Sequence, residues 1–103
     1  MRGLDRGLSP YADWFVDRLR SAGVRVTVTS VLRTYATQAR LYRRYLAGQS
    51  RFPAAAPGTS KHEKGLAFDL QLVPPVYSDA GALWESMGGR WGGRFRDPIH
   101  FEV

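Results

Sequence analysis

Cysteine is missing from the 103 residues. That excludes disulfide staples and thiolate metal sites, so a bound metal would have to be held by histidine, carboxylate or water. Long apolar runs are missing as well, and no segment approaches the roughly 20 residues of a membrane-spanning helix. The opening residues, MRGLDRGLSPYADWF, contain no apolar stretch of signal-peptide length, and the chain is therefore expected to be cytoplasmic as synthesised. Histidine occurs only at positions 62 and 100, and lysine only at 61 and 64. Acidic residues are in the minority, 9 against 15 lysines and arginines, for a formal charge of +6. Such a surface draws nucleic acid, acidic lipid and anionic wall polymer alike, so net charge does not choose a partner class.

With 44% hydrophobic and 23% charged residues, residues 1–103 are expected to form a single domain around one core, and to be monomeric. Ser9 and Pro10 open a helix that Gly23 closes, with Tyr11, Trp14, Phe15, Val16 and Leu19 as its inward stripe. Val24 to Thr29 alternates and is β-branched, which predicts a half-buried strand. From Thr34 to Ala47 the period is helical again, with Ala39, Leu41, Tyr42, Tyr45 and Leu46 as candidate contacts and Gly48 as the stop. Residues 49–60, QSRFPAAAPGTS, read as a loop of the kind that shapes a site. A second strand runs from Gly65 to Leu72 and ends at Pro74 and Pro75. Asp79 caps a short helix through Met87, WGGRFRDP is irregular, and IHFEV closes the chain as a strand. The pattern predicts an α+β fold, a small, mostly antiparallel sheet with flanking helices.

SKHEKGLAFDL, residues 60–70, sets a carboxylate inside an apolar alternation. Leu66, Phe68, Leu70 and Leu72 fall on one face of the strand and Asp69 on the other. In IHFEV, His100 and Glu102 share a face opposite Ile99, Phe101 and Val103. If the strands pair with apolar faces aligned, Asp69 and His100 meet on one polar surface, with opposed Cβ atoms roughly 5 Å apart. Gly65 permits the turn that would fold His62 over the same surface. Two histidines and a carboxylate suit catalytic zinc, three protein ligands with a fourth position left for water. Asp97, held extended by Pro98, is placed to accept and pass on a proton. The same residues also have plainer readings. A lone histidine is more often structural than metal-binding, Asp69 can act as an edge charge against aggregation, and Asp97 as a turn residue. Spacing alone leaves both readings open.

The motifs go further. SKHEKGLAFDL resembles the signature, with its Ser-x-His and Gly-x-Ala-x-Asp, of the VanY-type D-alanyl-D-alanine carboxypeptidases and the related phage L-alanyl-D-glutamate endopeptidases, zinc peptidases of bacterial peptidoglycan. DPIHFE resembles their closing acid-x-x-His segment, SVLRTYATQARLY their Ser-x-x-Arg-x-x-x-x-Gln-x-x-Leu-Tyr helix entry, and LWESMGGRWGG their Trp-Gly-Gly run. These stretches span residues 30–102 in the family's order. The resemblance implies a hedgehog/D-Ala-D-Ala peptidase-like fold in which His62, Asp69 and His100 bind Zn2+ and Asp97 is the general base and acid. It implies that Arg33 orients and polarises the scissile carbonyl, where a fixed guanidinium suits a developing oxyanion. Ser60 and Gln38 are implied contacts to substrate or to the ligands. Glu102 either orients a ligand or faces solvent. Two departures stand out: the acid is aspartate, as in the endopeptidases, and Ile99 replaces the usual tryptophan or proline.

The implied function is a zinc metallopeptidase acting on peptidoglycan stem peptides. An endolysin-like L-alanyl-D-glutamate endopeptidase is favoured over a D-alanyl-D-alanine carboxypeptidase, because the aspartate acid and the missing leader suit a phage-encoded enzyme reaching the wall on release. The positive charge is expected to hold it near anionic wall polymers, an attraction that salt weakens. A non-catalytic zinc-containing binding domain is the alternative of another class, and Asp97 and Arg33 argue against it. Arg40, Arg43 and Arg44 on one helix suggest nucleic acid only weakly, since such arginines more often form a solvated face; nucleic acid is not an expected partner.

Overall fold

Seven regular elements follow one another in the computed structural model, which describes residues 1–103. They are α1 (Ser9–Ser21), β1 (Arg25–Ser30), α2 (Tyr35–Leu46), β2 (Ala67–Val73), α3 (Tyr77–Ser86), β3 (Arg90–Trp91) and β4 (His100–Glu102), with 3-10 turns at Lys61–Lys64 and Gly92–Phe95. The strands form one antiparallel sheet in the order β1-β2-β4-β3. The α+β architecture is thus the one that the alternation of strand and helix patterns predicts.

One face of the sheet is apolar because the strands alternate. Val26, Phe68, Leu70, Leu72 and Phe101 point from it into a core that α1 and α3 cover. At its centre Phe15 of α1 meets Trp84 of α3 at 5.1 Å between centroids and Phe101 at 5.2 Å, while Phe68 stacks on Phe101 at 5.7 Å. Each of these four rings is almost wholly buried, and burial of one such side chain contributes about 1.5–3 kcal/mol. The cluster fixes how β2 and β4 lie against each other.

Four elements depart from the sequence expectation. The inward stripe of α1 is Ala12, Phe15, Val16 and Leu19, the i, i+3, i+4, i+7 set of one helix face. Tyr11 and Trp14 lie off that face, 61% and 52% exposed. Ser9 is not the cap; Asp5 accepts the Gly7 and Leu8 N–H groups, and the Ser9 hydroxyl engages Met1. The larger departure is α2, whose only buried residue is Gln38, with Leu46 64% exposed. This helix, capped by Thr34, leans over the site and not on the aromatic core. Finally, α3 starts at Tyr77 without a side-chain cap, and Trp91, expected in an irregular stretch, pairs with β4 as part of β3. No helix is long and apolar enough to cross a membrane.

Candidate active site

Register places the first two side chains. β2 and β4 pair Ala67 with Glu102, Phe68 with Phe101 and Asp69 with His100. The two phenylalanines turn to the core, so the flanking pairs turn to the opposite face. That face, expected as a polar surface, is closed off from water. Asp69, His100 and Glu102 are 6–7% exposed, because α2 and the loop of residues 49–60 wall off a cleft of about 500 Å3 above them.

His62 arrives from the 3-10 turn. Ser60 caps that turn by accepting the His62 N–H, and Glu63 reaches back to the Ser60 N–H, a reciprocal capping box. Gly65 ends it at φ 69°, where an added Cβ would stand 3.1 Å from the Gly3 carbonyl oxygen. Only glycine adopts this conformation there without strain. The turn drops His62 into the cleft floor, 2% exposed.

Three atoms then converge. His62 Nε2 lies 3.1 Å from Asp69 Oδ1 and 3.2 Å from His100 Nδ1, and His100 Nδ1 lies 3.1 Å from Asp69 Oδ1. The far nitrogens settle the tautomers. His62 Nδ1 stands 2.7 Å from the Val31 carbonyl and His100 Nε2 stands 2.8 Å from Glu102 Oε1, acceptors that each require an N–H. In neutral imidazoles, therefore, both inward nitrogens carry lone pairs, facing a carboxylate oxygen with lone pairs of its own. Such a pocket calls for a cation. Two imidazole nitrogens and one carboxylate oxygen, each ring held by an outer partner, are the donor set that fits Zn2+ with a position to spare. Without an ion a proton must take that place. Burial disfavours charge on His100, but hydrogen bonds to Asp69 and Glu102 outweigh it and raise its pKa. Burial likewise pushes the Asp69 carboxyl up, while His100 and His62 together hold it well below the usual carboxylate range.

The remaining candidates surround this pocket. Arg33 donates through Nη2 to Asp69 Oδ2 at 3.0 Å, through Nε to Ser30 Oγ at 3.0 Å and through Nη1 to Gln38 Oε1 at 3.2 Å. Buried Gln38 also donates to the Ala55 carbonyl at 2.9 Å, so it ties Arg33 to the cleft's loop wall. Asp97 lies 4.0 Å from His100 Nδ1. Burial and the charge of Asp69 push its carboxyl up to about 6, against the opposing pull of the two histidines and Arg33.

Sequence reasoning missed the scaffold behind Asp97. The Trp91 indole donates to the Pro98 carbonyl at 2.8 Å, and the Asp97 N–H to the Gly92 carbonyl at 2.8 Å. A Cβ on Gly92 would come within 2.2 Å of the Asp97 carbonyl oxygen and 2.8 Å of His100 Cβ. Gly81 and Gly93 both clear space for the Trp91 ring. The Trp-Gly-Gly run was visible in the sequence; that it seats the turn carrying Asp97 depends on contacts with α3 that no local pattern encodes.

A family model described as VanY, D-alanyl-D-alanine carboxypeptidase, matches residues 2–84. The chain belongs to this family. It is accordingly a zinc-dependent peptidoglycan peptidase, a hydrolase. Asp97 and His100 lie beyond the matched stretch; the sheet register brings His100 to the site, and the turn seated on Gly92 brings Asp97. Among solved structures, a Zn(II)-bound variant of the vancomycin-resistance D,D-pentapeptidase VanY shares 23% identity over 97% of this chain and 72% of that one, with a TM-score of 0.76. The LD-carboxypeptidase LdcB shares 20% over 99% and 66%, TM-score 0.76. The L-Ala D-Glu endopeptidase ChiX of Serratia marcescens shares 23% over 99% and 81%, TM-score 0.66. These likenesses establish the VanY-type fold. None of the curated proteins compared matches the chain.

Proposed function

We propose that the protein hydrolyses the L-alanyl-D-glutamate bond of peptidoglycan stem peptides, with residues 1–103 acting as one monomeric catalytic unit. His62, Asp69 and His100 hold the Zn2+, which when bound supplies Lewis acidity and lowers the pKa of a water in the cleft. The observation that carries the reading is a carboxylate, Asp97, 4.0 Å from His100 Nδ1, beside three convergent lone pairs on a cleft floor. Asp97 takes the proton of the attacking water and returns it to the leaving amine, the work of a general base and acid held beside the reacting groups. Arg33 has two N–H groups left after its bonds to Ser30, Gln38 and Asp69. They orient the scissile carbonyl and stabilise the charge that develops on its oxygen. Ser60 acts through its cap on the turn of His62, and Gln38 by bracing Arg33. Leu41, Tyr45, Phe52 and Pro53 line the apolar side of the cleft and suit a small alanyl side chain.

The aspartate at position 97 is what favours the endopeptidase, as in the endopeptidases that the sequence motifs resemble. Two observations favour the second reading, D-alanyl-D-alanine carboxypeptidase: the description of the matching family, and Arg44 and Lys61, cations on the cleft wall that suit a terminal carboxylate. Digestion of purified peptidoglycan followed by mass spectrometry separates them. New N-terminal D-glutamate supports the endopeptidase, free D-alanine the carboxypeptidase, and intact stem peptides with stoichiometric zinc would leave only a binding domain.

A further inference from the structure

Charge is segregated along this chain. Residues 18–62 contain 9 arginines and lysines and no aspartate or glutamate, whereas the other residues set 6 cations against 9 acids. The whole positive excess therefore originates in one stretch, and only Arg33 within it is neutralised by an ion pair. On α2, Arg40, Arg43 and Arg44 are spaced i, i+3, i+4 and share one helix face, all exposed. Arg51 follows from the loop wall, also exposed. Like charges at this spacing weaken a helix. α2 buries almost nothing that would offset it, with Gln38 its only buried residue. A merely solvated face would intersperse acids, as α1 does with Asp13 and Asp17.

We propose that this face binds a linear phosphodiester polymer attached to peptidoglycan, with Arg40, Arg43 and Arg51 as contacts and Arg44 at the cleft rim, and so tethers the enzyme with its cleft towards the peptide. The inference rests on the peptidase reading above. Arginine in place of lysine points to phosphate, whose oxygens a guanidinium fork grips in pairs. The position points to wall polymer over nucleic acid, because the cationic face adjoins the cleft in which the stem peptide lies and both ligands would hang from one sacculus.

The test compares sedimentation of the wild-type chain with phosphate-bearing walls, with the same walls stripped of phosphate polymer, and binding to single-stranded DNA of matched phosphate number. Arg40→Gln/Arg43→Gln is set against a charge-matched control, Arg2→Gln/Arg6→Gln, in exposed residues outside the stretch. Loss of two phosphate contacts is expected to weaken binding about tenfold at low salt and reduce the log–log salt slope by roughly 1.4, whereas the control changes binding less than about twofold. Hydrolysis of a short soluble stem peptide is expected to be unchanged in Arg40→Gln/Arg43→Gln. Equal binding to stripped walls, equal losses in the control, or tighter binding to DNA than to wall polymer would each overturn the tether. Wall binding through these arginines without hydrolysis of any stem peptide would instead overturn the peptidase reading and leave the tether standing.

Discussion

At the scale of single residues, the proposed reaction gives holding an ion and moving a proton to different side chains. His62→Ala, Asp69→Ala or His100→Ala removes one of three convergent donors, and each is expected to drop bound zinc from one per chain to near none by elemental analysis. Asp97→Asn leaves the donors untouched. It is expected to keep zinc and lose kcat by about 10²–10⁴, the usual worth of a positioned general base; full turnover in that variant would reassign the base. Asp97 also gives a pH signature in the metal-free chain. Its pKa, moved from the ordinary 3.8 to about 6, means that the folded state holds the proton more tightly than the unfolded one. The corresponding stability is complete below about pH 4 and is lost as pH rises to about 6, on the order of 2–3 kcal/mol. Asp97→Asn is expected to flatten that loss, so denaturant melts at pH 4 and pH 7 should differ more for the wild type than for the variant.

At the scale of elements, what was legible in the sequence was what is local and periodic. The alternation of Phe68 with Asp69 and of Phe101 with His100 set the faces, so that pairing apolar with apolar brings Asp69 and His100 to one surface; which of the in-phase registers β2 and β4 adopt, Asp69 opposite His100, was not legible. Glycine at 65 announced the turn that delivers His62. Illegible was whatever depends on a distant partner. The docking of α2 could not be read, because its Leu41 and Tyr45 suit a cleft wall as well as a core. Nor could the burial of Asp69 and Glu102, which comes from a roof contributed by another segment. The contact of Arg33 with Asp69 spans 36 positions, and only the family motif singled that arginine out. Gly92 belongs to the same class: its substitution by alanine would drive a methyl group into the Asp97 carbonyl. Such overpacking costs about 1–3 kcal/mol, and the displaced segment carries both Asp97 and His100. Gly92→Ala is expected to lower the melting temperature, zinc affinity and kcat together. A variant that keeps native turnover would show that the turn has slack.

At the scale of the whole molecule, three donors from separate parts of the chain converge only when it is folded, so zinc binds the folded state and stabilises it by mass action. A free-ion concentration of about 1,000 times Kd adds about 4 kcal/mol, and at about 4–8 °C per kcal/mol for a chain of this size the melting point should rise by more than about 15 °C. Differential scanning calorimetry with and without a chelator measures it, and an unchanged melting point in the wild type would mean that the donors do not act as one ligand set. The sheet has a further consequence. Its two faces divide labour, aromatic packing on one side and chemistry on the other, while α2 overhangs the chemistry with scarcely a stake in the packing. A segment so lightly invested is the natural place for variation: the side chains it turns to the cleft, Leu41 and Tyr45, can be exchanged, altering which peptides gain entry, and the aromatic heart of the molecule would scarcely register the change.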